Sequence, residues 1–173
     1  MVPFDQLDAL VRDLVAFGRW PHHRGRPKPE DAAAVDAAIA AFGLEPLAGR
    51  YMDELSGGQQ QRAHVAMAHA QDTDWLLLDE PLNNLDPRHA RDLMARLHAM
   101  SRPCARQRSV IMVIHEVNYA AAWADHLVAM KDGRILAQGP RADLLTAGLM
   151  QQLYGMEAGI VDLPDRQVVL HHR

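Results

Sequence analysis

Residues Trp75–Pro87 read WLLLDEPLNNLDP, and the order of residue types in that stretch decides the fold. Four large apolar residues run without alternation, as expected of a strand buried on both faces of a parallel sheet. Two carboxylates, Asp79 and Glu80, follow at once, and Pro81 stops the strand behind them. Asp86–Pro87 is then a helix start, an N-cap acceptor followed by proline at the first helical position. Leu93, Leu97 and Met100 carry that helix along one apolar face.

Working outward, the alternation continues. SVIMVIH (Ser109–His115) is a second apolar run ending in polar groups, with a helix after it through Trp123. LVAMK–DG–RILAQ reads as a hairpin on an Asp132–Gly133 turn. Two short helices near 141–146 and 148–154 precede a tail over 159–173. Upstream, Gly57–Gly58 opens a helix with Ala63, Ala66, Met67 and Ala70 inward, and an alanine-rich helix runs from Glu30 to Phe42. Residues 1–30 read as an irregular segment, a short apolar-periodic piece (Leu7, Leu10, Val11, Leu14, Val15) followed by the surface loop WPHHRGRPKPE. The expected organisation is one domain over 31–158, helical over 31–73 and α/β over 74–158. Strand–helix–strand order predicts parallel crossovers and a mostly parallel α/β sheet.

The chain has 173 residues and a net charge of -4, so it can bury a core and projects no nucleic-acid field. One cysteine, Cys104, excludes a disulfide framework and fits a reducing compartment. Asp5 and Asp8 lie where a signal peptide would be basic, and no apolar run reaches the roughly 18 residues of a membrane span. His22–His23 and His171–His172 lack the further spaced ligands of a metal site.

Ligands of an open parallel sheet bind beyond the carboxyl ends of its strands. Asp79 and Glu80 stand at one such end, His115 and Glu116 at another. Neighbouring strand residues point to opposite sides, so the two carboxylates divide the work. One suits a magnesium ion and the other a nucleophilic water, while His115 suits a phosphate oxygen. Taken alone, the same residues also read as a helix cap, a solvated turn and a structural strand end. LSGGQQQR (Leu55–Arg62) adds Ser56, Gly57 and Gly58 at a helix N-terminus, a ready anion site.

LSGGQ, then LLLDEP, then NNLD, then an apolar strand ending in His115, resembles the nucleotide-binding subunits of ABC transporters. The resemblance runs from about Val11 to about Leu145. It implies a P-loop NTPase-like fold, ATP and Mg²⁺ as cofactors, and hydrolysis between two subunits. In its terms Asp79 holds Mg²⁺, Glu80 polarises the attacking water and His115 contacts the γ-phosphate. Ser56, Gly57, Gly58, Gln59 and Asp86 serve the nucleotide of the opposite subunit. LVAFGRWPHHRGRPKPED and ADHLVAMKDGRILAQGP look like the subfamily that energises uptake of iron–siderophore and related chelates. The implied partners are a second ATP-binding subunit, integral-membrane permease subunits and, indirectly, a substrate-binding protein, with no nucleic acid. The implied location is the cytoplasmic face of the inner membrane.

The resemblance has a gap. Its G-x-x-x-x-G-K-[ST] loop cradles the β- and γ-phosphates, yet the chain's two lysines, Lys28 and Lys131, follow no glycine. Gly18–Arg19 and Gly25–Arg26 lack a strand leading in. Gln6 stands near the place of the family's glutamine loop, though closer to VRDLVAFG than the pattern expects. The first ten residues look unlike the family, which implies a start upstream of Met1. Two alternatives stay open: a non-catalytic remnant of such a subunit, and an ABC ATPase of repair or translation.

Overall fold

The computed structural model describes residues 9–103, 107–164 and 166–170. Gln6, Cys104 and His171–His172 lie outside the described residues. The chain divides into two compact units, Met1–Val113 and Ile114–Arg173.

The first unit opens with α1 (Val11–Phe17) and α2 (Trp20–His23), inside the segment the sequence read as irregular. Helices this short do not hold in water alone. Packing supplies the difference: Val11, Leu14 and Val15 are fully buried against α3 (Pro29–Ala41) and α4 (Gly57–Ala70). The approach of α1 to α4 is close enough to demand glycine. A Cβ on Gly18 would stand 2.1 Å from the Met67 carbonyl oxygen. Next in the chain, buried Arg19 donates to Asp31 at 3.1 Å and to the Ala70 carbonyl at 2.9 Å, tying α3 to the end of α4. The Lys28 backbone N–H, and after it the Arg19 guanidinium, hold the Asp31 carboxyl below the usual carboxylate range.

The parallel crossover expected around WLLLD is present. β1 (Trp75–Asp79) leads through α5 (Pro87–Met100) to β2 (Ser109–Val113), with Leu77 opposite Ile111 and Asp79 opposite Val113. Leu76 and Leu78 face inward onto a core shared with Leu93 and Leu97 of α5. Burial of β1 on both faces is corrected by the structure. Trp75, Leu77, Ile111 and Val113 are 58%, 70%, 50% and 54% exposed, because the elements of this unit cover only one side of the pair.

In the second unit, α6 (Val117–Trp123) precedes an antiparallel hairpin, β3 (His126–Lys131) and β4 (Arg134–Pro140). Its turn has positive φ at Asp132 and Gly133, the conformation an Asp-Gly pair supplies best. Two helices follow, α7 (Arg141–Leu144) and α8 (Ala147–Tyr154). The tail folds as a further antiparallel pair, β5 (Gly159–Asp162) and β6 (Gln167–Leu170). Asn118 of α6 grips β6 like a strand neighbour, accepting from the Val169 N–H at 2.8 Å and donating to its carbonyl at 3.1 Å. No side-chain pattern in the tail announces that clamp, which is why the pair went unread.

Candidate nucleotide site

The first part of the site is the start of α4. Ser56 is its N-cap residue, with extended backbone, and its carbonyl accepts from the Gln59 and Gln60 N–H groups at 2.9 Å each. The Gln59 side chain turns back and accepts the Ser56 N–H at 3.0 Å. S-x-x-Q is the sequence signature of that arrangement. Gln60 anchors the loop below, donating to the Met52 carbonyl at 2.8 Å and the Leu55 carbonyl at 3.3 Å. Gly57 and Gly58 occupy the first turn, where backbone N–H groups have no intrahelical acceptor and the helix dipole favours an anion.

The second part is the turn after β1, which the fold seats against those glycines. A Cβ on Gly57 would stand 3.6 Å from the Asn84 Cβ, and one on Gly58 would stand 2.9 Å from Leu85 Cδ2. LSGG and NNLD, some 25 residues apart in sequence, are therefore neighbours in space. Glu80 and Asn84 both have positive φ, so the chain reverses tightly there. The Glu80 N–H still donates to the Val113 carbonyl at 3.0 Å, extending the β1–β2 ladder by one residue. The Asn83 amide donates to the Glu80 carboxylate, a contact that sequence reasoning missed. Asp79, the last residue of β1, is exposed on the same face as Trp75 and Leu77.

Asp86 caps α5, accepting the His89 N–H at 2.9 Å, with the His89 imidazole 2.7 Å from its other oxygen. Those two contacts hold its carboxyl below the usual range. His115 falls in the second unit, exposed in the bend before α6. The structure thus brings Ser56–Gln59 together with Asn83–Asp86 in one unit and places His115 in the other.

The chain is similar to the petrobactin import ATP-binding protein YclP of Bacillus subtilis, with 38% identity covering 91% of this chain and 62% of that protein. It is also 38% identical to the hemin import ATP-binding protein HmuV of Bordetella pertussis, covering 97% of this chain and 67% of that one. A family described as ABC transporter matches residues 4–83. The chain belongs to the ABC transporter ATP-binding family. Its fold also matches a solved putative metal-chelate type ABC transporter in an inward-facing conformation. The TM-score is 0.86 at 23% identity, over 97% of this chain and 69% of the other. The α/β fold expected from the sequence is therefore that of an ABC ATPase cassette, in part. This chain spans about three-fifths of the length of the relative YclP.

The residues fit the two cofactors that the resemblance implies, ATP and Mg²⁺, unequally. Mg²⁺ commonly takes one or two protein carboxylates and completes its shell with water and phosphate oxygens. A single exposed strand-end carboxylate, Asp79, suits that role, and no three His, Cys, Asp or Glu side chains converge among the described residues. The start of α4, without Cβ atoms at Gly57 and Gly58, fits a phosphate. A cradle for the chain's own nucleotide does not fit these residues, since neither lysine follows a glycine.

Proposed function

We propose that this chain supplies the signature, D-loop and Walker B parts of an ATP-hydrolysing subunit that powers an importer of iron–siderophore or related iron chelates. The observation that carries the reading is the seating of Gly57 and Gly58 against Asn84 and Leu85. It aims a helix N-terminus and the D-loop at one place, as a phosphate site facing a second subunit requires. Bound there, ATP with Mg²⁺ would supply the transferable phosphoryl group. Ser56 and the α4 amides would hold the γ-phosphate of the partner's nucleotide, Gln59 would keep that turn formed, and Asp86 would set the interface end of α5. Only with a phosphate-cradling loop that these residues do not supply would Asp79 hold a cation and Glu80 orient water on the chain's own side; the phosphate contact of His115 rests on the resemblance alone. Positioning and charge stabilisation supply most of the catalysis in phosphoryl transfer. The partners are a second ATP-binding subunit and membrane permease subunits, with a substrate-binding protein beyond them. The place is the cytoplasmic face of the inner membrane. No helix of the described residues is long and apolar enough to cross a membrane, so attachment would run through the permease.

Pairing with an intact relative tests the division of labour. A tagged mixed dimer, with the relative's own signature inactivated, should hydrolyse ATP at one site only. Ser56→Ala or Gly58→Val in this chain should abolish that activity, whereas Glu80→Gln should change it less than twofold. Equal losses from both would overturn the assignment. The 173-residue chain alone should show no Glu80-dependent turnover. A mixed dimer that forms but never hydrolyses ATP would favour the non-catalytic reading.

A further inference from the structure

The end of α3 is gripped from both arms of the candidate nucleotide site. α3 closes in a left-handed turn at Gly43, where φ is +61°. That turn satisfies three of the last carbonyls. The Phe42, Gly43 and Leu44 N–H groups donate to the carbonyls of Ala38, Ala40 and Ile39 at 3.3, 3.0 and 2.9 Å. The next two carbonyls take arginines from two other helices. Arg96 of α5 donates to the Ala41 carbonyl, and Arg62 of α4 reaches the Phe42 carbonyl at 3.5 Å. A helix C-terminus favours cations, and a guanidinium brings a permanent charge with a rigid fork of donors. The grip sits where the His69 ring of α4 packs edge-on against Phe42.

The two helices that reach α3 are the two that carry the site. Gly57 opens α4 little more than one turn before Arg62, and Asp86 caps α5 roughly 15 Å before Arg96. We infer that Arg96 is a positioning residue of the candidate nucleotide site, with Arg62 as a second and looser hold. Tied to one helix end, α4 and α5 keep the α4 amides and the Asn83–Asp86 turn at one separation. Packing does not do this alone. At the site, the close approach of Gly57 and Gly58 to Asn84 and Leu85 limits how near the arms come and not how far they drift. Apolar contacts in the core below are non-directional, whereas a hydrogen bond weakens steeply with angle and distance. The two holds differ in quality. Arg62 donates at the long limit, and its Nε is buried with no hydrogen-bond partner among the described residues. Arg96 lies close over the turn, where a Cβ on Gly43 would stand 3.3 Å from its Nη2.

The purpose given to this clamp rests on the nucleotide reading, and its test needs no nucleotide. Cβ positions at residues 57 and 84 are 3.6 Å apart, within the about 3.5–4.5 Å of a disulfide. The 173-residue chain with Cys104→Ser, Gly57→Cys and Asn84→Cys therefore reports the separation of the arms. Its readout is the effective concentration of the thiol pair in a glutathione redox buffer. In that background Arg96→Met should lower the effective concentration by about fivefold or more, and Arg96→Lys should restore it to within about twofold. Arg62→Met should lower it by less than Arg96→Met does. Circular dichroism shows which variants stay folded, and Arg96→Gln, polar but shorter, gives the same comparison if Arg96→Met unfolds. Leu14→Ala, a core truncation in α1, should unfold in less urea and leave the effective concentration unchanged, which separates positioning from lost stability. An unchanged or raised value in Arg96→Met, no restoration by lysine, or an equal fall in Leu14→Ala would overturn the inference. A mixed dimer that never hydrolyses ATP, beside an effective concentration that falls as stated, would uphold the clamp and overturn only the nucleotide reading.

Discussion

The helical part of the first unit and its two-stranded sheet use similar side chains to opposite effect. In α1, α3 and α4 every apolar stripe meets another: Phe42, Leu14 and Val15 are at most 2% exposed, and a glycine carries the closest backbone approach. In β1–β2 the inward Leu76 and Leu78 are buried and Val110 and Met112 partly so, while the outward row, Trp75, Leu77, Ile111 and Val113, is half exposed or more. Residue type does not distinguish them, since Leu76 and Leu77 are the same residue on opposite faces. What differs is whether the chain brings a second layer. The helical layer closes on itself, and the sheet closes on one side.

The contrast predicts which substitutions matter, and the largest effects lie in the helical part. Phe42→Ala removes a fully buried ring that packs edge-on against His69 at 5.5 Å. The expected loss is about 3–5 kcal/mol of unfolding free energy, measured by urea denaturation. A loss under about 1 kcal/mol would show that the helical layer is loosely packed. Gly18→Ala should come next, at about 1–3 kcal/mol, because the Met67 carbonyl is backbone and can yield only if α4 shifts away from α1.

Asp31→Asn gives a smaller loss with a pH signature. The native carboxyl titrates below its ordinary value of 3.8. Its ionised form therefore stabilises the fold at every pH above that value, and the contribution fades as pH falls through the lower native value. The difference between wild type and Asp31→Asn should be constant from about pH 7 to pH 5 and shrink below about pH 4. A difference that grows on acidification would reverse the sign and remove Arg19 and the Lys28 amide as the cause.

Much of this was legible in the sequence because it depends on local chemistry. The strand end at Asp79, the Asp86 cap with proline after it, the Asp132–Gly133 turn and the helix opening at Gly57 are all set within a few residues. The family motifs added the grouping of Ser56–Gln59 with Asp86, which periodicity alone could not supply. What escaped reading depends on partners distant in sequence. α1 is a helix because α3 and α4 cover it, and β6 is a strand because Asn118 holds its backbone. The amide of Asn83 reaches Glu80 only because the backbone turns left-handed at Glu80. The uncovered face escaped for the complementary reason. WLLLD has the composition of a strand buried on both sides, and composition carries no record of whether the covering layer is present.

The smallest effect should fall on that same strand. Leu77→Lys replaces an apolar side chain that is 70% exposed, at the centre of the uncovered face. Little apolar area returns to water on unfolding from such a position, so the transfer term that makes a buried leucine worth about 1.5–3 kcal/mol is mostly absent. The cross-strand contact with Ile111 is lost, at a cost within the roughly 0.2–1 kcal/mol of an exposed pair. Against this, a lysine on an exposed strand discourages stacking and edge pairing between chains. Urea denaturation should therefore place Leu77→Lys within about 0.5 kcal/mol of wild type, while light scattering at high concentration falls. Leu76→Ala, one residue away and 3% exposed, should lose about 2–5 kcal/mol. If the two adjacent positions cost the same, the face taken as bare is covered within this chain, and the contrast between the two layers fails.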